Sequence, residues 1–305
     1  MLDKFWEAAG EKFADRWASV AGPAVLFWAG GLLAWLWQRG TLHGLDRWTR
    51  QEPETAQLVV LLAALAGVAA SGLLVQRLTA PVLRLAEGYW PAPLKKLRGR
   101  RIGAIGDQVK DLETTFQELA GPVLDSRTAT AADRAKFADL DQRLRRFPAD
   151  GDYLPTRIGN ILRAAERRPA DKYGLDATVL WPRLWLLLPA DAREELGQAR
   201  SALDAAVAAG IWAFLFLGFT YLTYWAAIPA IAVLLISCLR WIPERAEVYA
   251  DLVEAAFDLH RLAVYEQLRW PLPANPQQEL RCGAQLTAYL LRGATGTDPA
   301  FTPPG

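Results

Sequence analysis

The stretches VAGPAVLFWAGGLLAWLW (residues 20–37) and LVVLLAALAGVAASGLLV (58–75) contain no charged side chain. Each matches the shortest helices that span the ~30 Å hydrocarbon core of a bilayer. The polar linker 38–57, with Gly40, Gly44 and Pro53, turns the chain back between them. A second apolar block, residues 205–239, is too long for one crossing and fits two, near Ala206–Tyr224 and Ala227–Leu239, joined by TYWAAIP. A single tilted helix is the competing reading of that block. Basic residues crowd the segment after the second stretch, from Arg77 to Arg101, and are absent from the 224–229 turn. Positive segments resist translocation. Both termini and the central region are therefore expected in the cytoplasm, with the chain multi-pass in the plasma (inner) membrane.

Elsewhere the period is helical. Ile105, Val109, Leu112, Phe116 and Leu119 recur at helical spacing, and Gly121-Pro122 is expected to stop that run. Thr130 and Asp133 predict a capped helix with Phe137, Leu140 and Leu144 on its apolar stripe. Residues 156–168 form another, with Ile158, Ile161, Leu162 and Ala165 inward. Beyond Pro243, the acids Glu247, Asp251, Glu254 and Asp258 share one narrow stripe of the wheel with Arg261, and apolar residues fill most of the rest. That helix reads as a central post. Asn275 caps a last helix that starts at Pro276 and ends at Gly293.

The segment YGLDATVLWPRLWLLLPADAREE (173–195) poses a separate question. Its apolar core, residues 179–188, covers only ~15 Å as a helix, half a bilayer, and holds Arg183 near its middle. It cannot cross. The expectation is an element on the cytoplasmic membrane surface, with Arg183 reaching lipid phosphates and Trp181, Trp185 and Leu186 facing the acyl chains. A buried helix of the cytoplasmic domain and a re-entrant, pore-lining segment are the alternatives. Asp191 and Glu194 read as N-cap and N3 of a helix that continues into the third crossing.

The predicted organisation is all-α. An N-terminal amphipathic helix (1–19) precedes a first transmembrane hairpin (20–75). A cytoplasmic helical region (76–204) carries the interfacial segment 177–189. A second transmembrane hairpin (205–241) follows, its helices extending into the cytoplasmic domain, then cytoplasmic helices (242–293) and a disordered tail (294–305).

Composition narrows the chemistry. Hydrophobic residues make up 52% of the 305 and charged ones 22%, which suits a hybrid of membrane segments and a charged soluble part. The 13 tryptophans favour bilayer–water boundaries. A net charge of +1 gives no case for a nucleic-acid partner. Cys238 and Cys282 stand in no ligand-like spacing, and His43 and His260 are the only histidines. A disulfide framework, a zinc site and imidazole metal chemistry are therefore not expected, nor is a cofactor or an enzymatic activity.

Three groups of candidate residues remain. The cluster KKLRGRR, with Lys95, Lys96, Arg98, Arg100 and Arg101, is expected to contact anionic headgroups, at about 1 kcal/mol per basic residue near the surface. Pairing with the acidic stripe and binding of a nucleotide or nucleic acid are alternatives. The glycines of GRRIGAIGD lack P-loop order and read as a loop leading into a helix. Glu247, Asp251, Glu254 and Asp258 form a solvated face or, around a symmetric axis, a cation vestibule. Ala63, Gly67 and Ser71 place small residues on one helix face and permit close helix packing.

The words EGYWP (87–91), YLPTRIGNILRAAE (153–166) and YGLDATVLWPRLWLLLP (173–189) resemble a group of bacterial multi-pass membrane proteins of unassigned function. The resemblance implies a membrane protein and assigns no site. The functional expectation is a non-enzymatic homo-oligomer, a channel-like pore or membrane effector that favours cations through the acidic stripe. The alternative is a membrane-anchored scaffold or sensor whose cytoplasmic helical domain binds a soluble partner.

Overall fold

The computed structural model describes residues 22–38, 53–124, 129–149, 151–294 and 299–302. The expected helix 1–19 and most of the 38–57 linker lie outside these residues. Among the described residues every regular element is helical. In chain order they are α1 (22–38), α2 (Glu54–Glu87), α3 (Lys95–Leu124), α4 (Ala131–Leu144), α5 (Arg157–Tyr173), α6 (Ala177–Leu187), α7 (Ala190–Phe216), α8 (Ala227–Ile236), α9 (Ile242–Gln267) and α10 (Pro276–Arg292). The chain divides into two compact units, Met1–Leu83 with Asp204–Ile242, and Arg84–Leu203 with Pro243–Gly305.

The first unit is apolar outside as well as in. Three helical stretches, Thr55–Val123, Ala190–Tyr221 and Tyr224–Gln267, contain windows long and apolar enough to cross a membrane, and only 11%, 39% and 22% of those windows is buried within the chain. On α2, every residue from Leu58 to Leu62 is exposed. Five consecutive exposed apolar side chains leave no polar face for water, as a lipid-facing helix requires. The block 205–239 is broken into two helices by 3-10 turns at Leu217–Tyr221 and Tyr224–Ala226, so it is a hairpin and not one tilted rod. Its packing relies on glycine. A Cβ at Gly30 or Gly31 of α1 would overlap the rings of Phe216 and Phe219. Phe27 joins those rings, with its centroid 4.9 Å from Trp212 and 5.0 Å from Phe219. After α8 a π turn, Ser237–Trp241, leads into α9, and the Ser237 hydroxyl donates to the Ala206 carbonyl at 2.6 Å.

The second unit has its own core. Leu175, Leu180, Leu184, Phe257, Val264, Tyr265 and Leu286 are almost inaccessible and pack as one cluster. Local chemistry sets the helix starts. Thr130 and Asp133 form a reciprocal capping box on α4, Thr156 accepts from the Gly159 amide, Asp176 from Thr178, and Asn275 from Gln278. Gly174 ends α5 at φ 70, where its amide reaches the Ala170 carbonyl.

Several sequence expectations are corrected here. Segment 177–189 forms α6, whose Leu180 and Leu184 are buried with the capping Leu188 in the core of the second unit, while Leu186 is exposed. Gly121-Pro122 does not stop α3, which runs to Leu124. A proline so near a C-terminus removes few ladder bonds. The GRRIGAIGD glycines lie inside α3 and not in a loop. Asp191 is in the first turn of α7, while the Pro189 carbonyl accepts that helix's first bond, from Arg193. The tail is not wholly without structure. Phe301 packs edge-on to Trp270 and Tyr289, and the Thr302 amide donates to the Arg269 carbonyl at 2.9 Å.

Candidate functional site: a charged seam and a two-carboxylate pocket

Helix α5 carries basic residues four apart, Arg168 and Lys172, and α9 carries acids four apart, Glu254 and Asp258. Equal spacing lets the two rows mesh. Glu254 pairs with Arg168 and accepts from the Lys172 ammonium at 2.5 Å. Asp258 lies 3.3 Å from Lys172 and accepts the Tyr173 hydroxyl at 2.6 Å. Two turns before Glu254, Glu247 is shared by Arg157 at 2.8 Å and Arg146 at 3.2 Å. Arg261 turns to Glu279 of α10, 2.7 Å away, and stacks 3.9 Å from the Tyr173 ring centre. Burial opposes ionisation of Glu254, yet the Lys172 hydrogen bond and the Arg168 charge outweigh it and hold the carboxyl below its ordinary range. Asp251 makes no hydrogen bond or ion pair among the described residues, and desolvation raises its pKa.

The acidic stripe is thus not a solvated face. Three of its four carboxylates are closed onto the domain's own cations, chiefly those of α5. The basic cluster 95–101 does not supply these partners. Lys95, Lys96, Arg100 and Arg101 are exposed on the first turns of α3, and Arg98 is half-buried.

On another side of α5 two carboxylates are partly desolvated, and one of them, Glu166, lies 3.7 Å from Arg163. A cavity of about 250 Å³ is lined by Glu87 from the end of α2, Glu166 from α5, Trp181 from α6, Arg200 from α7 and Tyr249 from α9. Desolvation raises the pKa of Glu87, and the charge of Glu166 adds to it, with Arg200 partly offsetting. Desolvation also raises Glu166, against the pull of Arg163. Two carboxylates that burial makes harder to ionise, with Trp181 and Tyr249 in the same lining, suit a proton or an organic cation.

Glycines bring these walls together. Gly88 sits at φ 103, and a Cβ there would overlap the Pro155 ring. A Cβ at Gly159 would overlap the Glu87 carbonyl. The buried Asn160 amide accepts from the Leu154 amide at 2.8 Å and donates to the carbonyls of Leu154, at 2.8 Å, and Thr156, at 2.9 Å. The words EGYWP and YLPTRIGN are therefore two halves of one packed turn. YGLDA meets α10 in the same manner, since Gly283 leaves room for the Tyr173 carbonyl and Gly174 for that of Leu280.

The remaining predicted residues fall as follows. Trp181 packs on Phe257, with ring centres 5.9 Å apart, and Trp185 lies 5.9 Å from Trp181, so both belong to the protein interior's edge. Arg183 is exposed and donates to the Val179 carbonyl at 2.6 Å. Ala63 and Gly67 are exposed, and nothing lies within 4 Å of a Cβ at Gly67. Ser71 accepts from the Trp28 indole at 3.1 Å. Periodicity did not point to Glu87, Glu166, Arg200 or Tyr249, although two of them lie within the quoted words. Comparison with protein families, curated proteins and solved structures finds no match to this chain.

Proposed function

We propose that the chain is a non-enzymatic, membrane-anchored sensor or scaffold. In this reading, α1, α2, α7 and α8 make four crossings of the inner membrane as two hairpins. They hold the second unit in the cytoplasm, where it binds a soluble ligand or partner. The observation that carries it is the seam: Glu247, Glu254 and Asp258 neutralise Arg146, Arg157, Arg168 and Lys172. Carboxylates engaged in this way are not available to concentrate cations at a pore mouth. The test is ion flux into liposomes containing the purified full-length chain. The sensor reading expects no flux above protein-free liposomes. Cation flux that Glu254→Gln abolishes, with the melting temperature unchanged, would overturn it.

A homo-oligomeric pore is the second reading, favoured by the open face of α2 at Ala63 and Gly67. Gly67→Leu would then break the assembly on native-mass measurement. An unchanged monomeric mass in wild type and variant would remove that support.

A further inference from the structure

Four arginines converge on a second cleft of the same unit. Arg101 reaches it from α3, Arg143 from α4, Arg146 from just beyond α4 and Arg157 from the start of α5. The cleft encloses about 530 Å³, within the usual range for small-molecule sites. Only two carboxylates answer these four guanidinium groups. Asp139 pairs with Arg143 at 2.9 Å, in a geometry where both side chains are more than half exposed, and Glu247 is divided between Arg146 and Arg157. Arg101 has no ion-pair partner among the described residues. Positive charge is therefore left in excess, gathered from three helices onto one concave surface. Guanidinium groups bind phosphate oxygens in pairs of parallel hydrogen bonds. Phe147, on the same wall, offers an apolar face to the remainder of a ligand.

We propose that this cleft binds an organic phosphate carrying at least two negative charges. The proposal deepens the sensor reading by naming a ligand class, and it rests on that reading only for its biological sense. Binding is measured directly, so an absence of ligand and an unexpected ion flux are separate failures.

The experiment titrates inorganic pyrophosphate, and separately ATP, into the full-length chain in phosphatidylcholine nanodiscs, by calorimetry. Saturable, salt-sensitive binding is expected. Arg101→Gln should weaken it by roughly tenfold, the loss of one charge-assisted contact, with the melting temperature unchanged. Arg143→Gln should weaken it likewise. Lys95→Gln and Arg100→Gln remove charge from the same helix without touching the cleft lining, and should leave affinity unaltered. Repeating the titration in nanodiscs containing phosphatidylglycerol identifies the source of the phosphate. Weaker pyrophosphate binding there, lost in Arg101→Gln, assigns the cleft to a lipid headgroup; unchanged binding assigns it to a soluble phosphate. No saturable binding, or equal losses in Lys95→Gln and Arg101→Gln, would overturn the proposal.

Discussion

The two flanks of α5 put carboxylates and cations together with opposite results. Along the seam, rows spaced alike on α5 and α9 give each of Glu247, Glu254 and Asp258 a cation within 3.3 Å. At the cavity, Glu87 and Glu166 arrive from different elements, and desolvation, joined at Glu87 by the charge of Glu166, outweighs the nearby arginines. The seam has the arrangement of a structural joint. The cavity holds two partly desolvated carboxylates with raised pKa values, which is common at binding sites. Composition alone does not separate them, since both hold Glu and Arg in similar numbers. Register does.

The comparison is easiest to break at Glu254. Glu254→Ala leaves Arg168 and Lys172 facing a partly buried gap, and should cost about 2–3 kcal/mol. This is read as a lower melting temperature of the full chain in detergent. A change within experimental error would mean that the seam contributes nothing. Tyr173→Phe deletes the hydroxyl bonded to Asp258 and should cost about 1 kcal/mol. The same melt checks it.

Glu87→Gln should act in the other direction, raising stability at neutral pH by less than about 1 kcal/mol after allowance for solvent screening. The pH dependence sharpens the contrast. A raised folded-state pKa means that the native protein holds its proton more tightly than the unfolded chain does. Wild type therefore loses stability relative to Glu87→Gln as pH rises from 4.5 through the raised value, and the gap closes below 4.5. Glu254 has the opposite sign. Its contribution is complete above 4.5 and fades as pH falls through its depressed value. Melting curves across acidic pH should show the two variants diverging from wild type in these opposite senses; parallel curves would erase the distinction. The smallest effect belongs to Asp139→Asn at the exposed Arg143 pair, within about 0.5 kcal/mol.

Much of the local structure was readable from the chain. The caps at Thr130 and Asn275 occur where short polar side chains precede helical stretches, because capping involves only residues two or three apart. The acidic stripe on α9 was also legible as a stripe, though not its partners. A helical wheel shows which residues share a face and says nothing of what the face meets. Segment 177–189 was legible only in part for the same reason. Its tryptophans and Arg183 satisfy the pattern of an interfacial helix, while burial of Leu180 and Leu184 depends on α9 and α10, many residues later in the chain. Neither Glu87 nor Glu166 belongs to a periodic pattern, so their shared cavity left no trace in spacing.

Sequence was sufficient for the all-helical architecture and for most helix boundaries; of the four crossings it suggested, three described helices are long and apolar enough to cross a bilayer. These follow from hydrogen bonding and hydrophobicity within a few turns of chain. Tertiary structure alone decided that the acidic stripe is spent on α5, that α6 is a core helix, and that Glu87 shares a cavity with Glu166. Each of those outcomes depends on the rotation and register of helices distant in sequence. Part of that geometry is set where close-packed glycines such as Gly159 and Gly283 admit a neighbouring backbone.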